Sequence, residues 1–267
     1  MLAAADDPSS IQDYWDAFSP GYEANNSHIQ ALADIGILKS LNDQGDMAVL
    51  LETEEESGAL KLKVFHPKVP IPLSDRVPML ENFGFRVIDE TTFLVEPRSG
   101  RTAYIHEMQV TLEGIDDPDV ATLGPRLERG LKALWTGVAE NDGFNKLCIS
   151  AGLEWDDIAL LRSLSRYLRQ IGTIYSQEYL WTVMSGAGTV AADLVALFRT
   201  LHDPDLGGNR HKQAADIHAR IEQALEAISS IDEDRIIRHF LNLIDSSLRT
   251  NFFQRIDGER RPALATK

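Results

Sequence analysis

The sequence predicts an α+β protein: a small antiparallel sheet module followed by a mostly α-helical region. Three observations predict it. Residues 60–65 alternate strictly, with Leu60, Leu62 and Val64 on one side and Lys61, Lys63 and Phe65 on the other, the two-residue period of a strand. Short apolar runs of strand length cluster between residues 46 and 112. Beyond residue 117 the apolar period becomes helical and almost no strand signal remains. Strands segregated from helices argue α+β rather than an alternating α/β arrangement.

Taken in order, residues 10–42 read as two helices broken at "SPGY", where Ser19, Pro20 and Gly21 interrupt the pattern. Ser27 is placed to cap the second, whose apolar positions are Ile29, Leu32, Ala33 and Leu41. "MAVLLET" and "ALKLKVF" read as two strands joined by a turn at "EEESG". "PLSDRVPMLENFGF" reads as a helix with Ser74 as N-cap and Gly84 as its stop. Three strands then follow, "FRVIDE", "TFLVEP" and "RTAYIHEMQVTL". Helices are expected near 119–140, 142–151, 154–171, 176–184, 188–201, 211–229 and 231–255. In the third of these, Ile158, Leu161, Leu164, Leu168 and Ile171 form a stripe, with Arg162, Arg166 and Arg169 on other faces. The last begins with Ser230 and Glu233, a capping-box pair, and carries Ile237, Phe240, Leu241, Ile244, Leu248 and Phe252 as one apolar stripe. The expected division is an N-terminal helical segment (1–42), a sheet module (43–116) and a helical region (117–267), with the boundary near "EGIDDPDV".

Composition narrows the function. The 267 residues carry a net charge of −15, and the pI is about 4.8. The excess is uneven: residues 1–116 hold 8 Lys/Arg against 20 Asp/Glu. Phosphate backbones and anionic membrane surfaces need the opposite field, so neither nucleic acid nor membrane is an expected partner. A single cysteine, Cys148, allows no intrachain disulfide. "MLAAADDPSSIQDYW" lacks a basic start and a long apolar core, so no signal peptide is read there, and the expected location is cytoplasmic.

No catalytic constellation stands out. Gly186, Gly188 and Ala191 spell G-x-G-x-x-A, but a dinucleotide fingerprint needs a strand before it and a second strand carrying an acid. Asp205 lies in a loop after a helix, so "SGAGTVA" reads as a helix-to-helix turn. His211 and His218 share a helix face near Asp216 without converging third and fourth ligands, so no metal site is expected. Cys148, in the apolar "FNKLCISAGL", reads as a buried thiol rather than a nucleophile. "AENDGFN" reads as a helix C-cap at Gly143 joining two helices, with a phosphate- or amide-binding turn as the alternative.

Four ordered strings carry a resemblance: "LENFGFRVIDE", "IHEMQV", "LWTGVAENDGFNKLCISAGLEWDDIALLRSLSRYLRQIGTIYSQEYL" and "SIDEDRIIRHFLNLIDSSLRTNFFQ". Together they resemble the large bacterial NAD-dependent glutamate dehydrogenases over roughly residues 70–256, and more loosely before residue 70. The resemblance implies the last ACT-like (ferredoxin-like) module of such an enzyme plus the helical segment that leads to its dehydrogenase domain. It implies that the catalytic lysines, the glycine-rich substrate segment and the NAD fingerprint lie outside these residues. No catalytic residue, cofactor site or metal site is therefore expected in this chain, and NAD belongs to the parent enzyme. ACT modules commonly bind small amino-acid effectors at strand–helix junctions, which here implies Ser74 and Asp75. Arg249, Asn251 and Phe253 are implied as docking groups for the dehydrogenase domain, within a homo-oligomeric parent. The alternative is a ligand-free module that serves subunit contacts alone.

Overall fold

The computed structural model describes residues 11–42, 46–54, 57–113, 115, 118–256, 259–260 and 264–267. Two units divide the chain, Met1–Thr136 and Gly137–Lys267, each with its own core. Parts of the expected "EEESG" turn and of "EGIDDPDV", and the first ten residues, lie outside the described set.

The first unit is built on strands β1 (Ala48–Thr53), β2 (Leu60–Pro67), β3 (Phe85–Val95) and β4 (Ala103–Leu112), in spatial order β1-β2-β4-β3 and antiparallel throughout. Helix α3 (Leu73–Phe83) carries the chain from β2 to β3, which run the same way with β4 between them, a split β-α-β crossover. Helix α4 (Val120–Trp135) then packs against β1, where a Cβ on Gly124 would stand 3.9 Å from Leu51. In space, β1 occupies the place where a strand following α4 would complete β-α-β-β-α-β. The sheet is thus the ferredoxin-like arrangement with its closing strand supplied from the front of the chain.

Both faces of the sheet are covered. On one, Phe65, Phe93, Val95, Ala103 and Ile105 pack with Tyr22 of α1 (Pro20–Asn25) and Leu38 of α2 (His28–Ser40). Tyr22 meets Phe93 edge-on and stacks on Phe18. On the other, Leu62, Val64, Met108 and Val110 are sealed under α3 and α4, and Gly130 of α4 lies so close to Phe83 that a Cβ would stand 2.9 Å from its ring. Each such buried large apolar side chain contributes about 1.5–3 kcal/mol.

Several local expectations change. "SPGY" separates the helical turn at Ile11–Gln12 from a new helix, α1, which Ser19 caps with Pro20 in its first turn, and a further interruption falls at Asn26–Ser27. Ser27 caps α2 through a full capping box with Gln30. The buried face of α2 is Asp34, Ile35 and Leu38, whereas Ile29 and Leu32 are exposed, because Asp34 is drawn to Lys63 beneath it. "FRVIDE" and "TFLVEP" are one strand, β3, with an irregularity between Val87 and Asp89. Helix α3 begins at Leu73 after Pro72, so Ser74 sits inside the first turn and is not the cap. Gly84 does end it, at φ 97°, the left-handed conformation in which a side chain is strained.

The second unit is helical: a 3₁₀ turn at Gly143–Lys146, α5 (Leu147–Ser150), α6 (Trp155–Gln170), α7 (Gln177–Gly186), α8 (Gly188–His202), α9 (Arg210–Glu226) and α10 (Ile231–Ser246). Helix α8 buries Val190, Ala191, Leu194, Val195, Leu197 and Phe198, and its neighbours pack around it. Cys148 is buried, as expected. The expected stripe of α6 is buried at Ile158, Leu161, Leu164 and Leu168, but Ile171 is exposed beyond the helix end. Helix α10 stops at Ser246 instead of continuing to 255. Leu248 is consequently 77% exposed, while Phe252 is buried from a loop and not from a helical stripe. The cause lies farther along the chain: Leu248 N–H donates to Lys267 O, Lys267 N–H to Arg249 O, and Asn251 N–H to Ala265 O, so residues 248–251 form a short antiparallel pairing with 265–267. A two-residue hairpin, β5 (Arg255–Ile256) with β6 (Glu259–Arg260), lies between them.

Candidate functional site

The junction between β2 and α3, which contains Ser74 and Asp75, is fixed from below by histidines. His66, at the end of β2, shares a hydrogen bond with Val69 O at 2.7 Å and meets Trp135 edge-on. Ile71 N–H donates to His106 Nε2 at 3.1 Å. That nitrogen must therefore be unprotonated, and the proton of the neutral ring sits on Nδ1. Nδ1 lies 2.8 Å from Thr92 Oγ1, whose own hydroxyl donates to Glu90 Oε1 at 2.6 Å. Glu90 in turn pairs with Arg76 at 3.0 Å. The order Ile71–His106–Thr92–Glu90–Arg76 occupies both ring nitrogens of His106, whereas His66 Nε2 is buried without a partner among the described residues. Burial, then the charge of Arg76 and the neighbouring His66, push His106 down to about 3. Lys68, in the same loop, holds φ at 69°, a conformation that disfavours a side chain, while its N–H donates to Thr102 O.

Above this relay Ser74 and Asp75 are exposed, 3.4 Å apart from Oγ to Oδ1. Pro72 provides no side-chain cap, and its carbonyl accepts from Asp75 and Arg76 N–H. Asp75 complements the positive helix end. The residue of "PLSDR" that enters the protein is Arg76, which sequence reasoning did not single out. The available signal was an arginine one turn before Leu80 and Phe83 on the same face.

In the second unit the polar centre is Arg162, expected on an outer face and instead 3% exposed. Its guanidinium grips Asp142 bidentately at 2.8 and 2.9 Å, Asn145 Oδ1 at 2.8 Å and Glu140 O at 3.2 Å. Arg166, one turn on, pairs with the Glu140 carboxylate. "AENDGFN" is thus a clamp. Asp142 caps the 3₁₀ turn through Phe144 N–H, and Gly143 is that turn's first residue, not a C-cap. Gly143 is required there because a Cβ would stand 2.5 Å from the Trp181 indole. The helix end lies earlier, where Gly137 has φ 72°. "SGAGTVA" joins two helices bent by 97°, and the stretch before it, "QEYLWTVM", is helix α7, as its expected helix at 176–184 requires. Gly188 abuts the Ser150 carbonyl, 2.1 Å from where its Cβ would be.

The remaining expected residues are partly engaged. Asn251 Oδ1 accepts from Ala265 N–H at 2.7 Å, Phe253 stacks on Phe198 at 6.4 Å, and the Arg249 side chain is exposed. His218 pairs with Asp245 at 3.0 Å, and among the described residues no group of His, Cys, Asp and Glu is arranged to hold a metal. Among those residues no single helix is long and apolar enough to cross a membrane.

A split β-α-β sheet followed by a separate helical unit defines an ACT-like module joined to a helical segment. Comparison with known families agrees in the same order along the chain. Residues 44–123 match the glutamate dehydrogenase ACT3 domain, 139–204 match glutamate dehydrogenase helical motif 3, and 220–267 match the bacterial NAD-glutamate dehydrogenase catalytic domain. The chain is 34% identical over 257 residues to the NAD-specific glutamate dehydrogenase of Halomonas elongata, which covers 94% of this chain. It is 34% identical over 263 residues to that of Pseudomonas aeruginosa, and 34% over 256 to that of Mycobacterium tuberculosis, covering 95% and 93% of it. The chain is similar, segment by segment, to the bacterial NAD-glutamate dehydrogenases, and it spans 16% of the length of each of these relatives.

Proposed function

We propose that the chain is a non-catalytic regulatory and scaffolding segment of an NAD-dependent glutamate dehydrogenase, whose parent reaction is the oxidative deamination of L-glutamate to 2-oxoglutarate and ammonia. The observation that carries this reading is the ACT3 match over residues 44–123, on a sheet whose strand–helix junction is rigidly pinned by His106. In this reading catalysis and NAD belong to other parts of the parent. The stretch that matches the catalytic-domain model contributes the helix and strand pair that attach to that domain, with the exposed Arg249 at the contact. The parent is cytoplasmic and homo-oligomeric.

The finer proposal is that a small amino-acid effector meets the junction at Ser74 and Asp75. The first-turn N–H groups of α3 favour its carboxylate, and Asp75 opposes it. A second reading, a ligand-free assembly module, is favoured by exposed apolar residues of the same unit, Val69 and Leu73 at the junction and Ile88 and Leu94 on β3. Melting of the purified chain against a panel of amino acids separates the two. An effector at 100 times its Kd adds about 2.7 kcal/mol and raises Tm. Unmoved melting with every amino acid, together with a concentration-dependent mass in light scattering, sinks the effector reading in favour of assembly.

A further inference from the structure

Lys63 is fully buried between the sheet and α2, and its ammonium is outnumbered by carboxylates. Nζ lies 2.9 Å from Asp34 Oδ2 and 3.0 Å from Asn26 Oδ1. Glu107 Oε2 stands 3.8 Å away and Glu52 Oε1 4.0 Å away. An ammonium has three donors; two are committed, and the third cannot serve both glutamates at hydrogen-bonding distance. Asp34 Oδ1, Glu52 Oε1 and Glu107 Oε2 are buried without a hydrogen-bond partner among the described residues. The Tyr22 hydroxyl of α1 donates to Asp34 Oδ2 at 2.7 Å but brings no charge. Lys61, opposite Glu52 in the β1–β2 register, pairs with Glu107 at 3.2 Å and Glu54 at 3.5 Å. On β3, Asp89 faces Gln109 farther along the sheet. Among the described residues two lysines therefore meet four carboxylates, and one oxygen on each of Asp34, Glu52 and Glu107 has no donor.

We propose that this cluster holds one more proton when α1 and α2 are docked on the sheet than when they are released, and that proton uptake at Glu52 fastens the N-terminal helices. Like charges sharing a site of low dielectric resist ionising together. A proton from solvent removes one of them and turns an orphaned acceptor into an O–H donor. Of the three carboxylates within 4.0 Å of Lys63, Glu52 is the farthest. Burial pushes it up, Lys63 pulls it back, and Asp34 pushes it up again. An acid raised on docking stabilises the docked state most below its ordinary value of about 4.3 and loses that contribution as pH rises through the docked value. The N-terminal helices are thus held less firmly as pH rises through the docked value of Glu52.

Hydrogen exchange of the α2 amides, His28–Ser40, in the full 267-residue chain measures docking once the intrinsic pH dependence is removed. From pH 4.5 to 8 the opening equilibrium rises, by up to about tenfold per pH unit for one proton, then levels. Glu52→Gln imitates the protonated side chain, and its opening equilibrium is flat over that range with α2 still protected. A flat wild-type profile overturns the proposal, as does a Glu52→Gln profile that keeps the wild-type slope.

Discussion

Arg162 shows why single residues matter in the helical unit. It is charged, almost wholly buried, and satisfied by Asp142, Asn145 and the Glu140 carbonyl. Removing one partner of such a pair leaves an uncompensated charge, so Arg162→Met is expected to cost about 3–5 kcal/mol in urea unfolding of the chain. Arg162→Lys recovers part of this, since an ammonium cannot reproduce the fork on Asp142. A loss below about 1 kcal/mol in Arg162→Met would show that the clamp is not holding the unit. His106 makes a pH-dependent contribution of definite sign. Its folded value is depressed to about 3, so its contribution is complete above about 6.5 and is lost as pH falls toward 3. Relative to His106→Gln, the wild type should lose stability on acidification with a slope approaching ~1.4 kcal/mol per pH unit; parallel curves would mean the ring is not held neutral. Neither residue was legible. Helical period separates faces but not depth, and the partners of Arg162 lie about twenty positions away in sequence.

At the scale of elements, period and punctuation carried most of the reading. Helices near 154–171, 176–184, 188–201 and 211–229 lie within a few residues of the observed ones. Failures occurred where a distant segment decided the outcome. Helix α10 stops at Ser246 because residues 265–267 pair with the chain beyond it, and the stripe expected at Leu248 dissolves. The face of α2 was misjudged because Asp34, a residue that ordinarily faces water, is the one Lys63 holds. The two glycines of "SGAGTVA" make an element-scale test. Gly186 is helical with open space around it, so Gly186→Ala should stabilise by about 0.5–1 kcal/mol. Gly188→Ala would drive a Cβ into the Ser150 carbonyl and should destabilise by more than about 2 kcal/mol, because backbone must move. Thermal melts of the two variants shifting in the same direction would contradict this packing.

For the whole molecule, the α+β class and the family were readable from ordered strings of sequence, and the comparisons bear out both. The strand order was not readable. That β1 closes the sheet beside β2, in the position of a strand following α4, depends on long-range pairing that alternation cannot specify. The catalytic-domain model also reaches back to residue 220, so α10 and the C-terminal strand pair fall within its match. We propose that this chain, although similar to an oxidoreductase, does no glutamate chemistry by itself. The direct measurement is absorbance at the NADH band for the purified 267-residue chain supplied with L-glutamate and NAD. The account predicts no glutamate-dependent NADH formation at any protein concentration; saturable turnover that scales with the chain would contradict it.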